Sequence, residues 1–284
     1  MSGPWTDLGG GMLVRQSAAF QMNSIALLHP EQAVLVDPGV LPSELDDFAA
    51  RVAEARAKST TLVLTHGHWD HVLGRPWWPQ AEVVAHDRFA AEVKRDEKRI
   101  LSEIQALAQK HGERWERGFA AFRPTQAVSG LHLARRGPWA MVLRDAPGHS
   151  ASQLSLHLPH ARILLAADML SDIEIPTLDG PVAPYLETLR ALAPLAEHGA
   201  IETLVPGHGS IARGPEAVVG RLHRDVQYLE TLQREIVQAR DAQLGKHEAV
   251  ARLAAMEWDG APLPPWAAEN HRENVELLMD GPAR

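Results

Sequence analysis

TLVLTHGHWDHVLGRP, residues 61–76, starts as a short apolar run and ends in His66, His68, Asp70 and His71, three histidines and an aspartate within six positions. Its length and β-branched content make TTLVLT a buried strand. Packing of an ordinary core gives no reason for four metal-ligating residue types directly after it. With residues 65–67 extended, His66 and His68 point to the same side. Asp70 and His71 then begin a turn or helix that leads back over them. Such an arrangement surrounds one small volume with three imidazoles and a carboxylate, a donor set suited to zinc and also to iron or manganese. The spacing differs from the helical H-E-x-x-H pattern. A solvated polar turn with incidental histidines is the plain alternative, and the local density of histidine argues against it.

Three later segments repeat the design. VLRDAPGHSASQLSLHL places His149 after a strand and a Pro-Gly turn, ARILLAADML ends a very apolar strand on Asp168, and IETLVPGHGS places His208 after another strand and Pro-Gly turn. Any one of these reads equally well as a turn histidine or a helix-capping aspartate. Taken with the first cluster they form a set, because a sheet brings separate strand ends together.

The surrounding chain supplies the sheets. MLVRQSAAF, SIALLH and QAVLVD read as strands closing on turn signals, AEVVAH as another, and PSELDDFAARVAEARAK as a helix. Residues 87–122 are charged and helical, with a break at Gly112. Strands resume with GLHLA, WAMVLRDA, QLSLHL and ARILLAAD, followed by a helix over 182–197 and the strand IETLVP. From Gly214 the pattern is helical, interrupted by DGAPLPPW before a last helix over about 265–279. Two groups of strands interrupted by helices predict an α/β layered sandwich, two sheets face to face with helices outside. A doubly wound parallel sheet is disfavoured, because the early strands have no helical crossovers between them.

Composition narrows the function. At 284 residues and 45% hydrophobic, the chain has enough apolar material for a substantial core. Without cysteine, disulfides, thiolate metal sites and cysteine nucleophiles are excluded. A net charge of −8 gives no whole-chain support for binding nucleic acid. The opening MSGPWTDLGGGM lacks the pattern of a signal peptide, and no apolar run reaches the roughly 18 residues that span a bilayer. The expectation is a cytoplasmic protein with a small-molecule substrate, no membrane partner, and a homodimer as one assembly to consider.

On THGHWDH (65–71), APGHS (146–150), AAD (166–168) and PGHG (206–209), with Asp37 in VLVDPG, the chain resembles the metallo-β-lactamase-fold hydrolases, in their glyoxalase II-like and lactonase-like branch. The motifs follow the family's order and cover about residues 12–212. The resemblance implies an αββα four-layer sandwich of two mixed sheets with outer helices and a site along one sheet edge. The chain then divides into a catalytic core over 1–213, carrying a helical insertion at about 87–122, and a helical extension over 214–284. His66, His68 and His149 resemble the ligands of a first metal, and Asp70, His71 and His208 those of a second. Asp168 resembles the carboxylate bridging both, and Asp37 a residue that organises the site floor by hydrogen bonding. All seven ligand positions are filled, without the cysteine typical of the penicillin-degrading branch. Two divalent ions are implied, zinc first, with Mn2+ or Fe2+ as alternatives. Held about 3.5–4 Å apart, such ions carry a bridging hydroxide at neutral pH. Asp70 has a possible second role, orienting that hydroxide or receiving its proton.

The implied reaction is cleavage of an ester, thioester or lactone. One alternative is a persulfide dioxygenase-like oxidoreductase, with a single iron on His66, His149 and Asp168. Another is a phosphodiesterase, but KRDEKR (94–99) is the only compact basic run and its acids nearly cancel it. A non-catalytic metal-binding protein is the third. Tyr185, 17 residues after Asp168, and His271 on the tail helix are candidates for a substrate pocket. Phe89, Trp115, Phe119, Phe122 and Trp266 either line an acyl pocket or pack between helices.

Overall fold

The structure is a computed structural model and describes residues 5–281. The first four residues of the opening segment therefore lie outside the described ones. Strands β1 (Trp5–Gly9), β2 (Met12–Gln16), β3 (Asn23–His29) and β4 (Gln32–Val36) run as an antiparallel meander. Helix α1 (Pro42–Glu54) leads to β5 (Thr60–Val63), parallel to β4, and β6 (Glu82–His86) lies parallel to β5. Helix α2 (Phe89–Lys110) then leads to β7 (Gln126–Val128), parallel to β6. These seven strands form one sheet in chain order. The helical stretch within 87–122 is thus the crossover between two neighbouring parallel strands, which cannot be joined by a tight turn.

The second sheet contains β8 (Leu131–Arg136), β9 (Trp139–Asp145), β10 (Leu154–Leu158), β11 (Ile163–Leu165), β12 (Thr203–Val205) and β13 (Ala212–Arg213). Helix α3 (Val182–Glu197) joins β11 to its parallel partner β12. After β13 come α4 (Pro215–Asp241), α5 (Lys246–Leu253), the short hairpin of β14 (Glu257–Trp258) and β15 (Ala261–Pro262), and α6 (Ala267–Asp280). Both sheets are mixed, as expected. Strand β1 was not anticipated, because WTDLG is polar and largely exposed and carries little apolar signal.

Alternate side chains fill separate layers. Val34 and Val36 of β4, Val63 of β5, Val84 of β6, Ile163 and Leu165 of β11, and Val205 of β12 lie between the sheets. Their neighbours Leu35, Leu62, Val83 and Ala85 face outward, against Leu45 and Phe48 of α1 and Phe89, Val93, Ile100 and Ile104 of α2. On the other side, Leu164 and Leu204 pack with Leu186 and Leu189 of α3, Leu229 and Leu232 of α4, Leu253 of α5 and Val275 of α6. Three apolar interfaces therefore separate four layers, αββα. Sheets covered on both faces explain why these strands read as continuous apolar runs. Burying each such Val or Leu contributes about 1.5–3 kcal/mol relative to exposure. We propose that the catalytic core ends at residue 213, with α4–α6 as an extension sharing the apolar layer around α3.

At one edge the sheets are tied together. The Asn23 N–H donates to the Gly207 carbonyl at 2.6 Å. The Asn23 side-chain amide donates to Pro206 and Gly209, each at 2.9 Å. The Leu154 N–H donates to the Thr65 carbonyl at 2.8 Å. Every motif singled out in the sequence follows a strand that ends along this edge. No helix among the described residues is long and apolar enough to cross a membrane.

Candidate metal centre

Five strand ends deliver the polar side chains. Asp37 follows β4, His66 to His71 follow β5, His149 follows β9, Asp168 follows β11 and His208 follows β12. His66, His68, His149 and Asp168 place one donor atom each within 4.8 Å of one another, and Asp70, His71 and His208 do the same. Asp168 is central. Its Oδ2 lies 3.6 Å from His66 Nε2, 3.3 Å from His149 Nε2 and 3.5 Å from His208 Nε2. Its Oδ1 lies 3.2 Å from His71 Nε2. Asp70 Oδ2 stands 3.3 Å from His208 Nε2 and 3.7 Å from His71 Nε2.

The nitrogens that face away from the cluster are held in place. His71 Nδ1 donates to Asp37 Oδ2 at 2.8 Å. The same carboxylate accepts the Thr65 N–H at 2.8 Å and its hydroxyl at 2.5 Å. Thr65 Oγ1 in turn stands 3.0 Å from His66 Nδ1, so Asp37 orients His71 directly and His66 through one hydroxyl. His208 Nδ1 donates to the Phe20 carbonyl at 3.0 Å, and His149 Nδ1 meets Thr177 Oγ1 at 2.6 Å. These contacts put the ring protons on the outer nitrogens and leave the inner ones free as ligands.

The fit to metal ions is tested by the atoms left over. His66 Nε2, His71 Nε2 and Asp168 Oδ1 are buried and have no hydrogen-bond partner. Orphaned buried polar atoms are rare in folded proteins, and three within one cluster of imidazoles and carboxylates fit a cationic partner. Donors bound to one ion at about 2.1 Å lie about 3.4 Å apart in a tetrahedron. The carboxylate–imidazole spacings of 3.2–3.7 Å match that figure.

Charge divides the cluster. Burial, reinforced by His71 and His68, holds His66 well below the usual imidazole range. Burial, then His149, pushes His68 down to about 3. Burial also acts against the charged forms of His71 and His208, but nearby carboxylates, Asp168 first, outweigh it and raise both well above their usual value. Burial opposes ionisation of Asp168 as well, yet His71 and His208 hold its carboxyl well below the ordinary range. Nearby carboxylates thus favour positive charge at His71 and His208, the charge that a bound cation would supply there.

Two glycines are dictated by clearance. A Cβ on Gly67 would sit 2.7 Å from Glu92 Oε2, and one on Gly207 would sit 2.0 Å from Asp168 Oδ1. Gly67 has no positive φ, so its role is close approach to α2 and not an unusual turn. Ala167, just before Asp168, has φ 51°, and Asp37 has φ 44°. Such left-handed backbone at non-glycine residues costs energy and collects where geometry serves function.

Several contributors escaped the sequence reading. Glu92 of α2 is buried beneath the histidine loops and accepts from Ser150 at 3.1 and 3.0 Å and from Ser152. Ser152 also accepts the Gly67 N–H at 3.1 Å, so one carboxylate pins both loops. Glu174 places a carboxylate oxygen within 4.8 Å of the donor atoms of Asp168 and His208. Asn274 of α6 accepts from the Leu178 N–H at 2.9 Å and donates to the Pro176 carbonyl at 2.7 Å. It thereby holds both neighbours of Thr177. Glu92 and Asn274 lie inside helices, away from any motif or strand end.

The two pocket candidates are placed elsewhere. Tyr185 is fully buried, and its hydroxyl donates to the Asp168 backbone carbonyl at 3.3 Å. It packs against the backbone that carries Asp168. His271 is also buried, with Nδ1 on the Tyr228 hydroxyl at 2.9 Å and Nε2 on the Leu253 carbonyl at 3.0 Å. Both of its nitrogens are occupied in the packing of α4, α5 and α6. Phe89, Trp115, Phe119 and Phe122 belong to the outer layer over the first sheet, whereas Trp266 is 62% exposed. At the rim, Phe20 is 51% exposed and meets Trp69 edge-on with ring centroids 5.9 Å apart.

Comparison with known proteins places this geometry in a family. The sequence model of the metallo-beta-lactamase superfamily matches residues 18–208, which carry every one of these strand-end motifs. The chain belongs to the metallo-β-lactamase superfamily. Among curated members it is 26% identical over 198 residues to acyl-coenzyme A thioesterase MBLAC2 of Bos taurus, covering 63% of this chain and 69% of that one. The human protein of the same name gives the same identity and coverage. In structure the chain is similar to the sec-alkylsulfatase Pisa1 from Pseudomonas sp., at TM-score 0.75 and 14% identity. That match covers 97% of this chain, which spans half the length of the alkylsulfatase. A metallo-beta-lactamase from Pontibacter korlensis matches at TM-score 0.54 and 16% identity, over 78% of this chain and 98% of that one. At such identities the structural likenesses establish the metallo-β-lactamase fold alone.

Proposed function

We propose that this chain is a metal-dependent hydrolase with a two-ion centre that cleaves acyl thioesters. One observation carries the reading: seven imidazole and carboxylate side chains converge with three buried donor atoms left unpartnered. His66, His68 and His149 would hold one ion, Asp70, His71 and His208 the other, and Asp168 would bridge them. Zinc is the first choice of metal. When bound, two such ions supply a Lewis acid and an activated water nucleophile at neutral pH.

The chain's own residues supply positioning. Asp37 and Thr65 fix the rings of His71 and His66, and Thr177 fixes that of His149. Asp70, with Oδ2 facing the cluster beside His208, orients the attacking water or receives its proton. The exposed ring of Phe20 and the half-buried ring of Trp69 offer an apolar wall next to His208 and Asp70, where an acyl chain can lie out of water. The thioesterase activity named for the curated relatives favours a thioester over an ester or lactone. A complete second donor set argues against a single-iron oxygenase.

The test is a substrate panel on purified protein. Acyl-coenzyme A thioesters are expected to be cleaved with release of free thiol, and removing metal with a chelator is expected to abolish turnover until zinc or manganese is restored. Preferential phosphodiester cleavage, or oxygen uptake dependent on a thiol persulfide with one iron per chain, would overturn the assignment.

A further inference from the structure

We propose that Glu174 is an eighth ligand of the cluster, making the Asp70–His71–His208 position an oxygen-rich site for a six-coordinate ion such as manganese or ferrous iron. The inference rests on the two-ion reading above and goes beyond it, because it separates the two positions by metal preference.

Glu174 is firmly delivered. Ser171 Oγ accepts the N–H groups of Ile173 and Glu174, each at 3.1 Å, and donates to the His208 carbonyl at 2.9 Å. From the other side, the Trp266 indole N–H donates to the Ile173 carbonyl at 2.6 Å. The segment before Glu174 is thus fastened to the His208 loop and to the C-terminal region. The Glu174 side chain is part-buried and makes no hydrogen bond or ion pair with any described residue, although its oxygen lies within 4.8 Å of donor atoms on Asp168 and His208.

That placement sets a third carboxylate beside Asp168 and His208. Asp70 and Asp168 already put two carboxylates in this volume. A third carboxylate beside Asp168 is repelled by its like charge. A solvated glutamate would swing away, whereas this one is held in by its loop. A divalent ion between Glu174, Asp168 and His208 removes the conflict, and His208 joins this trio to the Asp70–His71–His208 group.

The donor chemistry then differs across the cluster. One position has His66, His68 and His149 with a share of Asp168, a nitrogen-rich set that suits zinc. The other has His71 and His208 with Asp70, Asp168 and Glu174, and carboxylate-rich sets shift preference toward manganese or ferrous iron.

Metal binding to chelator-stripped protein tests this without any substrate. Manganese is followed by the loss of the free-ion electron paramagnetic resonance signal, and zinc by calorimetry. Wild type is expected to bind two manganese ions. Glu174→Gln, nearly isosteric, is expected to weaken one of them by at least about tenfold and to leave the first zinc equivalent within about threefold. Glu174→Asp, with the charge retained one methylene short, is expected to fall between. Unchanged affinity for both manganese ions in Glu174→Gln overturns the role of Glu174 and leaves the two-ion reading standing. Equal loss of both ions, with a native melting curve, also overturns it, since a ligand of one position spares the other. A wild-type protein that binds no ion overturns both.

Discussion

Replacing Asp168 with alanine is expected to strip both metal positions and to lower kcat/KM for the preferred thioester by at least about a thousandfold, about 4 kcal/mol of transition-state stabilisation. Asp168 has this reach because its two oxygens face four different histidines: His66, His149 and His208 through Oδ2, and His71 through Oδ1. Among the described residues, no other carboxylate pairs with histidines of both donor groups. Without it each set loses a carboxylate that faces its histidines. The fold should survive, since Asp168 sits beyond the end of β11 and the apolar layers are untouched. Elemental analysis of the purified variant, beside its circular dichroism spectrum, gives the result. Two retained ions and full activity would remove Asp168 from the bridging role.

Asp37→Ala is expected to act by a different route, through the rings it orients. The Asp37 carboxylate accepts three buried donors: the Thr65 N–H, the Thr65 hydroxyl and His71 Nδ1–H. Leaving buried donors unpaired costs about 1–3 kcal/mol each, so a stability loss of about 3 kcal/mol or more is expected. Metal affinity should fall about 10–100-fold, the usual effect of losing a hydrogen-bond partner behind a metal-binding imidazole. Asp37→Asn is the informative companion. Asparagine tolerates the left-handed backbone at φ 44° and keeps one acceptor, so it should recover much of the stability and less of the affinity. Melting temperature and metal dissociation constants for both variants separate backbone strain from ring orientation. If Asp37→Ala binds metal with wild-type affinity, the carboxylate does not orient the ligands.

The layered fold was legible because burial on both faces leaves its mark on the strands. Residues 33–36 and 163–167 are apolar at every step, and Leu35 and Val36, or Leu164 and Leu165, face different layers. Strand β1 was hidden, since an exposed edge segment needs few apolar residues. The seven converging side chains were legible for a related reason. Each follows a strand, and parallel neighbours such as β4 and β5, or β11 and β12, end on the same edge. What joins them laterally left no such trace. Glu92 reaches the histidine loops from a crossover helix, and Asn274 reaches the Thr177 loop from the last helix; their spacing in the chain is set by how helices dock, not by a local pattern. Tyr185 and His271 misled for the same reason. Their residue types fitted a pocket, but the Tyr185 hydroxyl meets the Asp168 backbone carbonyl and both His271 nitrogens are taken up between α4, α5 and α6.

The account turns on two cations standing within one ring of seven side chains. Anomalous diffraction at the metal absorption edges, on crystals of fully active protein, examines this directly. Two peaks are expected about 3.5–4 Å apart, one facing His66, His68 and His149, the other facing Asp70, His71 and His208, with Asp168 between them. A single peak in a fully active crystal, or none inside the ring, would contradict it.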